Sequence, residues 1–233
     1  MKFSVSKEVL EKLDNVCFGI VVAKGIDNTK ENIEVKEALI KVIGECEEKY
    51  KDTKIKELKE ISYYREAFKK LDINPNKFMS SIEAMLTRVS KGKGLPSINP
   101  IVDIGNTVSL KYTLPLGAHD IETLNGDISV KFSKSGDTFI PLGSDELEIL
   151  LDGELTYAVE DRIRTRRWIW RQSEQGKIID KSENIFFPID GFMENYDNVI
   201  AARDELAEII KSIFSCEVQV GFVDKNSTEF EIN

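Results

Sequence analysis

At 233 residues, with 41% apolar and 31% charged side chains, the chain is long enough to bury a real core and too short for several domains. Its net charge of −9 is divided as 19 Lys+Arg against 16 Asp+Glu over residues 1–95 and 13 against 25 thereafter, which argues against non-specific wrapping of nucleic acid by a broad basic surface. No apolar run reaches the roughly 20 residues of a membrane span and no signal-peptide core opens the chain; three scattered cysteines and a single histidine suit a reducing cytoplasm, with no membrane partner, metal or cofactor.

Val16 to Gly25, "VCFGIVVAKG", is a β-branched apolar run closed by glycine and predicts a buried strand. From Thr29 to Tyr50, Ile33, Leu39, Ile40, Val42, Ile43 and Cys46 recur at helical spacing among Glu and Lys, the pattern of an amphipathic helix. A second helix is expected over Tyr63 to Leu71. A third is expected from Asn74 as cap, with Pro75 in its first turn, to the glycines of Lys91 to Gly94. Beyond Leu95 turn dipeptides alternate with short apolar stretches. Asp127 to Ser144 reads as a hairpin turning at "SKSGD", and Leu147 to Asp161 as a strand pair turning at Asp152–Gly153. Asn198 to Phe214 is an amphipathic helix and Cys216 to Asp224 a closing strand. Helices first, a β-rich middle, then a helix and a strand argue for a single α+β domain over 1–233 rather than a doubly wound sheet.

The segment "RIRTRRWIWR", Arg162 to Arg171, holds five of the eight arginines and both tryptophans of this acidic chain. If it is extended, Arg162, Arg164, Arg166, Trp168 and Trp170 share one face, and Ile163, Thr165, Arg167, Ile169 and Arg171 the other. Guanidinium forks beside indole planes suit phosphates, carboxylates and stacked bases. The competing reading is structural: Asp152, Glu154, Glu160 and Asp161 lie just upstream and can pair with the arginines across strands. Exposed pairs stabilise by only about 0–1 kcal/mol each, so the concentration of arginine leans toward anion recognition. His119 stands at a turn in "LPLGAHDIE". It reads either as a hydrogen-bonded structural residue or as the only imidazole available for acid–base work near neutrality.

The segments "INPIVDIGNTVSLKYTLPLGAHDIE", "GDISVKFSKSGDTFIPLGS", "GELTYAVED", "WIWRQSEQGKI" and "NIFFPIDGF" occur in an order that resembles the B3/B4 editing domain of the phenylalanyl-tRNA synthetase β subunit, and more closely its free-standing relatives. The resemblance runs over about 63–214 and leaves residues 1–62 as an N-terminal strand–helix extension. It implies an α+β domain whose helical N-terminal part packs on a β-rich middle, with a pocket facing that middle, and an activity that hydrolyses wrongly charged tyrosyl-tRNA. It gives Asn99, Val102, Asp103 and Asn106 structural roles. This chain departs from the family at its specificity positions: Gly117 stands where the family has histidine, with His119 at its phenylalanine. Pro188 stands at the glutamate that recognises the tyrosine hydroxyl, with Asp190 two residues on, and Trp170 to Gln172 replace Met-Gly-Gly. Tyrosine specificity is therefore not expected.

The resulting expectation is a cytoplasmic, editing-type module that takes the 3′ end of an aminoacyl-tRNA, with no DNA partner. Arg166, Arg167, Arg171 and Gln172 are the ligand-binding candidates, with Trp168 and Trp170 as stacking or walling groups and His119 or Asp190 orienting a water or the α-ammonium group. Three outcomes stay open: hydrolysis of a mischarged ester in trans, non-catalytic binding of tRNA or an amino-acid-like ligand, and recognition of a carboxylate metabolite by Arg167 and Arg171.

Overall fold

The computed structural model describes residues 1–233. A short strand, β1 (Lys2–Val5), and one helical segment, α1 (Lys7–Lys12), precede β2 (Val16–Lys24), the apolar run, buried along almost its whole length. The amphipathic helix α2 (Ile33–Tyr50) starts at Ile33 rather than Thr29, because Asn32 accepts the Val35 amide at 3.1 Å and sets the cap. Next comes α3 (Lys59–Lys70), which begins ahead of Tyr63. The helix expected from Asn74 does not start there. Asn74 closes a single turn by accepting the Asn76 amide, and Ser80 caps α4 (Ser81–Val89) through the Glu83 amide.

Beyond Leu95 the structure departs from the expectation of turns and short apolar stretches. Pro100–Tyr112 is a helix, α5, capped by Asn99 through the Val102 amide at 3.0 Å with proline in its first turn. Buried Asp103 on α5 accepts from Ser97 Oγ at 2.5 Å and the Ile98 amide at 2.9 Å, fixing the entering chain. The β-rich middle follows as β3 (His119–Asp120), β4 (Ile128–Phe132), β5 (Thr138–Phe139), β6 (Glu148–Ile149), β7 (Leu155–Val159), β8 (Arg162–Arg166), β9 (Arg171–Gln172) and β10 (Asn184–Phe192). The chain closes with α6 (Tyr196–Phe214), β11 (Glu217–Val223) and β12 (Glu229–Glu231).

The strands form two sheets, one ordered β12-β1-β4-β7-β8-β5-β6 with β9 on β8, the other β11-β2-β10-β3. Neither expected hairpin forms. β4 pairs antiparallel with β7 and parallel with β1, while β5 pairs with β6 and β8. Alternation in β4 marked the face that buries Ile128 and Val130, whereas β7 is buried on both faces; the partner was decided by the sheet. The architecture is α+β, with the helical N-terminal part packed on the sheets, one large apolar core, and a separate small cluster of Phe139, Leu150, Ala158 and Ile163. No helix is long and apolar enough to cross a membrane.

Candidate functional site at the β8–β9 turn

The arginine–tryptophan segment is not one strand. β8 ends at Arg166, the chain turns through Arg167 to Trp170, and β9 returns with Thr165 opposite Gln172 and Arg166 opposite Arg171. Arg167 and Trp168 adopt φ of 45° and 61°, left-handed backbone that costs bulky residues on the order of 1–2 kcal/mol each. Contacts from outside hold the turn. Glu154 accepts the Arg167 amide at 3.2 Å, the Trp168 amide donates to Leu155 at 2.6 Å, and the Ile169 carbonyl accepts from Ser81 at the start of α4 at 2.9 Å. The alternating faces expected of an extended segment break first inside β8, at a bulge where the consecutive Ile163 and Arg164 are both buried, and end altogether at Arg166; the two indoles diverge.

Where this turn meets β7, β10 and the chain leading into β3, a cavity of about 80 Å3 opens. His119, Trp168, Trp170, Arg171, Gln172 and Asp190 all line it, from three separate stretches of chain. Trp168 is fully buried, and its indole Nε1 donates to Asp190 Oδ1 at 2.6 Å. The Tyr157 hydroxyl donates to the same oxygen at 2.6 Å, and Tyr64 donates to the Asp190 carbonyl at 2.9 Å. Nothing in the sequence links Tyr157 to an aspartate 33 residues later, so Tyr157 escaped the sequence reading. Burial pushes the Asp190 carboxyl up to about 7, outweighing the two donors that act to lower it. A carboxyl poised there, with one oxygen doubly held, can exchange a proton with a water in the cavity.

His119 is buried, its ring 5.9 Å from that of Tyr157 and 6.1 Å from that of Phe186. Burial first, and the Arg164 cation second, push its pKa down to about 3, so the imidazole is neutral at physiological pH. Its Nδ1 is buried without a partner. A side chain at Gly117 would begin 3.5 Å from His119 Nε2 and 3.3 Å from Pro188 Cγ, so glycine keeps the space before the imidazole open. This loop is fastened to β10 by Gly117 N–H to the Pro188 carbonyl and Asp190 N–H to the Pro115 carbonyl, both at 3.0 Å. Gln172 spends its amide on the Ala118 carbonyl at 2.8 Å, tying β9 to the same loop.

Two of the expected ligand-binding arginines do not reach the cavity. Arg166 forks onto Glu154 at 2.7 and 2.8 Å and also pairs with Glu148. Arg167 pairs with Glu154 at 3.4 Å and lies over the rings of Phe78 and Trp170, at 3.9 and 4.6 Å from their centroids. Acidic neighbours neutralise both, as the cross-strand alternative describes. Arg171 differs: it is exposed, carries no ion pair, and stands at the rim with its guanidinium 6.0 Å from the Trp170 ring. A larger groove of about 520 Å3 adjoins the cavity, sharing Leu116, Gly117 and Gln172 with it and reaching Asn99 and Lys177.

Residues 63–215 match the family described as the B3/4 domain. Among similar proteins, the phenylalanine–tRNA ligase beta subunit of Fusobacterium nucleatum is 30% identical over 149 residues, covering 64% of this chain and 17% of that subunit. The beta subunits of Photorhabdus laumondii and Aquifex aeolicus are each 41% identical over 59 and 56 residues, covering 25% and 24% of this chain and 7% of each subunit. The chain thus spans less than a fifth of these relatives' length. An N-terminal fragment of the phenylalanyl-tRNA synthetase beta subunit from Pyrococcus horikoshii aligns over 93% of this chain and 49% of its own, with a TM-score of 0.43 and 10% identity. Because the matched residues run from α3 through every strand that builds the cavity to just past α6, the chain belongs to the B3/4 domain family.

Proposed function

We propose that this protein binds the aminoacylated 3′ end of a tRNA at the Asp190 cavity and hydrolyses the aminoacyl ester in trans. The observation that carries this reading is the Asp190 carboxyl, held near neutrality with Oδ1 fixed by Tyr157 and Trp168, beside a neutral imidazole and an unpaired arginine. Asp190 takes a proton from a water as the water oxygen attacks the ester carbonyl. Collapse of the tetrahedral intermediate breaks the bond to the ribose oxygen, which leaves with the proton Asp190 held; the products are the free amino acid and the tRNA. For His119, a hydrogen on Nε2 leaves only a lone pair unpartnered at buried Nδ1, which costs less than an orphaned N–H. Nε2–H is then a donor for the developing oxyanion. Arg171 holds a terminal phosphate, Trp168 and Trp170 wall the cavity, and the adjoining groove beyond Gln172 takes the terminal nucleoside.

The cavity's dimensions support a small substrate side chain. Its volume of about 80 Å3, below the ~150 Å3 of an enclosed cavity that admits a benzene ring, favours a small aminoacyl group over a tyrosyl one. Deacylation of a panel of mischarged tRNAs tests the proposal. Release of small amino acids, abolished in Asp190→Asn, is the expected result. No release from any pair, with tRNA binding by Arg171→Ala equal to wild type, overturns it. A second reading, binding of tRNA or an amino-acid-like ligand without turnover, draws support from Gly117 and Pro188 at the two altered specificity positions. Salt-dependent tRNA binding with no turnover selects that reading.

A further inference from the structure

Arg164, on β8, poses a problem that the Asp190 cavity does not solve. It is 1% exposed, yet it forms no ion pair. Nη2 donates to the Thr123 carbonyl at 2.7 Å, while Nε is buried with no partner. A buried cation without a counter-charge is expensive, and proteins rarely keep one unless something outside the chain completes it.

The surroundings show where a counter-charge enters. Arg164 and Arg162 line an open cavity of about 510 Å3 between the Asp120–Asn125 and Glu174–Ile179 segments, together with Thr123, Gly176 and Lys177. The two acids in its wall are already engaged. Asp120 accepts from Ser182 Oγ at 2.5 Å and the Glu122 amide at 3.0 Å, and Glu174 accepts the Gly143 amide at 2.9 Å and pairs with Lys177. Gly176 sits at φ 84°, and a side chain there would begin 3.3 Å from Arg164 Nη1, so only a glycine lets this turn pass so close to the guanidinium without crowding it. Arg162, partly exposed, is held only by a 3.5 Å contact to the outward-facing Glu160 and a 3.4 Å bond to the Asn125 carbonyl, and it can swing to share a ligand.

We infer that the Arg162–Arg164 cavity is a phosphate-binding site, in which a phosphate group supplies the counter-charge that Arg164 lacks. Its wall shares Lys177 and Ile179 with the large groove, which in turn adjoins the Asp190 cavity through Gly117 and Gln172. Resting on the proposed function, the phosphate belongs to the tRNA backbone, a few nucleotides from the acylated end. One continuous track would then carry the RNA from Arg164 past Lys177 to Asp190.

Inorganic phosphate, titrated into the full-length protein at constant ionic strength and followed by melting temperature and amide chemical shifts, tests the site independently of RNA. The expected result is a saturable stabilisation with shifts at Thr123, Gly176 and Lys177, weakened roughly tenfold by Arg162→Gln and abolished by Arg164→Met. Arg164→Lys should retain part of it. If Arg164→Met does not fold, Arg162→Gln, altering a partly exposed residue, and Gly176→Ala, which crowds Nη1, carry the test. No saturable effect beyond that of chloride, or an affinity unchanged in both of these variants, overturns the site. The same variants in tRNA binding test the source: phosphate binding lost with tRNA affinity unchanged overturns the RNA track. Absence of deacylation while phosphate still binds removes the hydrolytic proposal and leaves this site standing.

Discussion

Asp190 and His119 line one cavity and are displaced in opposite senses, which gives a signature in the pH dependence of stability. The Asp190 carboxyl titrates at about 7 in the folded chain, against about 3.9 when unfolded. Between those values the unfolded chain has released a proton that the folded chain keeps, so the Asp190 penalty is absent below pH ~4 and complete above ~7. His119 titrates at about 3 folded against about 6.5 unfolded. As pH falls below ~6.5 the unfolded chain gains a proton that the folded chain refuses, and stability is lost on acidification. From pH ~4.5 to ~6 the two contributions, each about 1.4 kcal/mol per pH unit, cancel. Asp190→Asn should expose the histidine slope, with stability falling as pH drops, and His119→Phe the reverse. Urea midpoints for the three proteins at pH 4.5, 5.25 and 6 check this; parallel profiles would falsify the assignment. Deacylation should likewise rise about tenfold per pH unit up to ~7 and then level off. Trp168→Phe, which removes a donor to the ionised form, should move that inflection to higher pH.

The β8–β9 turn depends on one acid. Glu154 pairs with Arg166 and Arg167 and accepts the amide of a residue in left-handed backbone. Glu154→Gln leaves Arg167 without an acidic partner and Arg166 with Glu148 alone, and loosens a strained turn. It should cost about 2 kcal/mol, measured by denaturant unfolding. It should also raise the KM for aminoacyl-tRNA more than it lowers kcat, because Arg171 and Trp170 ride on the turn while Asp190 stands on β10. On α5, Asn99→Ala removes a cap and should cost about 1 kcal/mol, lowering the melting temperature by roughly 2–4 °C. A loss near zero would show that the neighbouring Asp103 contacts alone hold the helix start.

For the whole molecule, the net charge of −9 opposes a phosphate backbone, and the neutralisation of Arg166 and Arg167 leaves three arginines of the segment, Arg162, Arg164 and Arg171, to meet it. Binding of tRNA should therefore depend only weakly on salt. With Arg162, Arg164 and Arg171 as the contacts, log K against log salt should have a slope of about −2 to −3, and Arg171→Ala should reduce it by just under one. A slope near −6 would require a second basic surface that the arginine segment does not provide.

The sequence by itself determined local character. The patterns of β2, α2 and α6 were legible because burial of one face, or of a whole strand, writes itself into neighbouring residues; β11 was legible as a strand, but its alternation did not give its buried face, since Val220 is exposed and Val223 buried. Composition alone singled out Arg162 to Arg171, and the altered motif positions pointed to His119 and Asp190. α5 was hidden because its buried polar residues, Asp103 and Ser109, blur the apolar stripe, although Asn99–Pro100 was a readable start signal. Only the tertiary structure decided which strands pair and which arginines remain free. It also decided that a buried aspartate meets Tyr157 and Trp168, residues 33 and 22 positions away. The physical reason is range. Side-chain alternation acts over a few residues, whereas neutralisation, desolvation and sheet pairing depend on what the folded chain brings alongside, and those contacts set the protonation of Asp190 and His119.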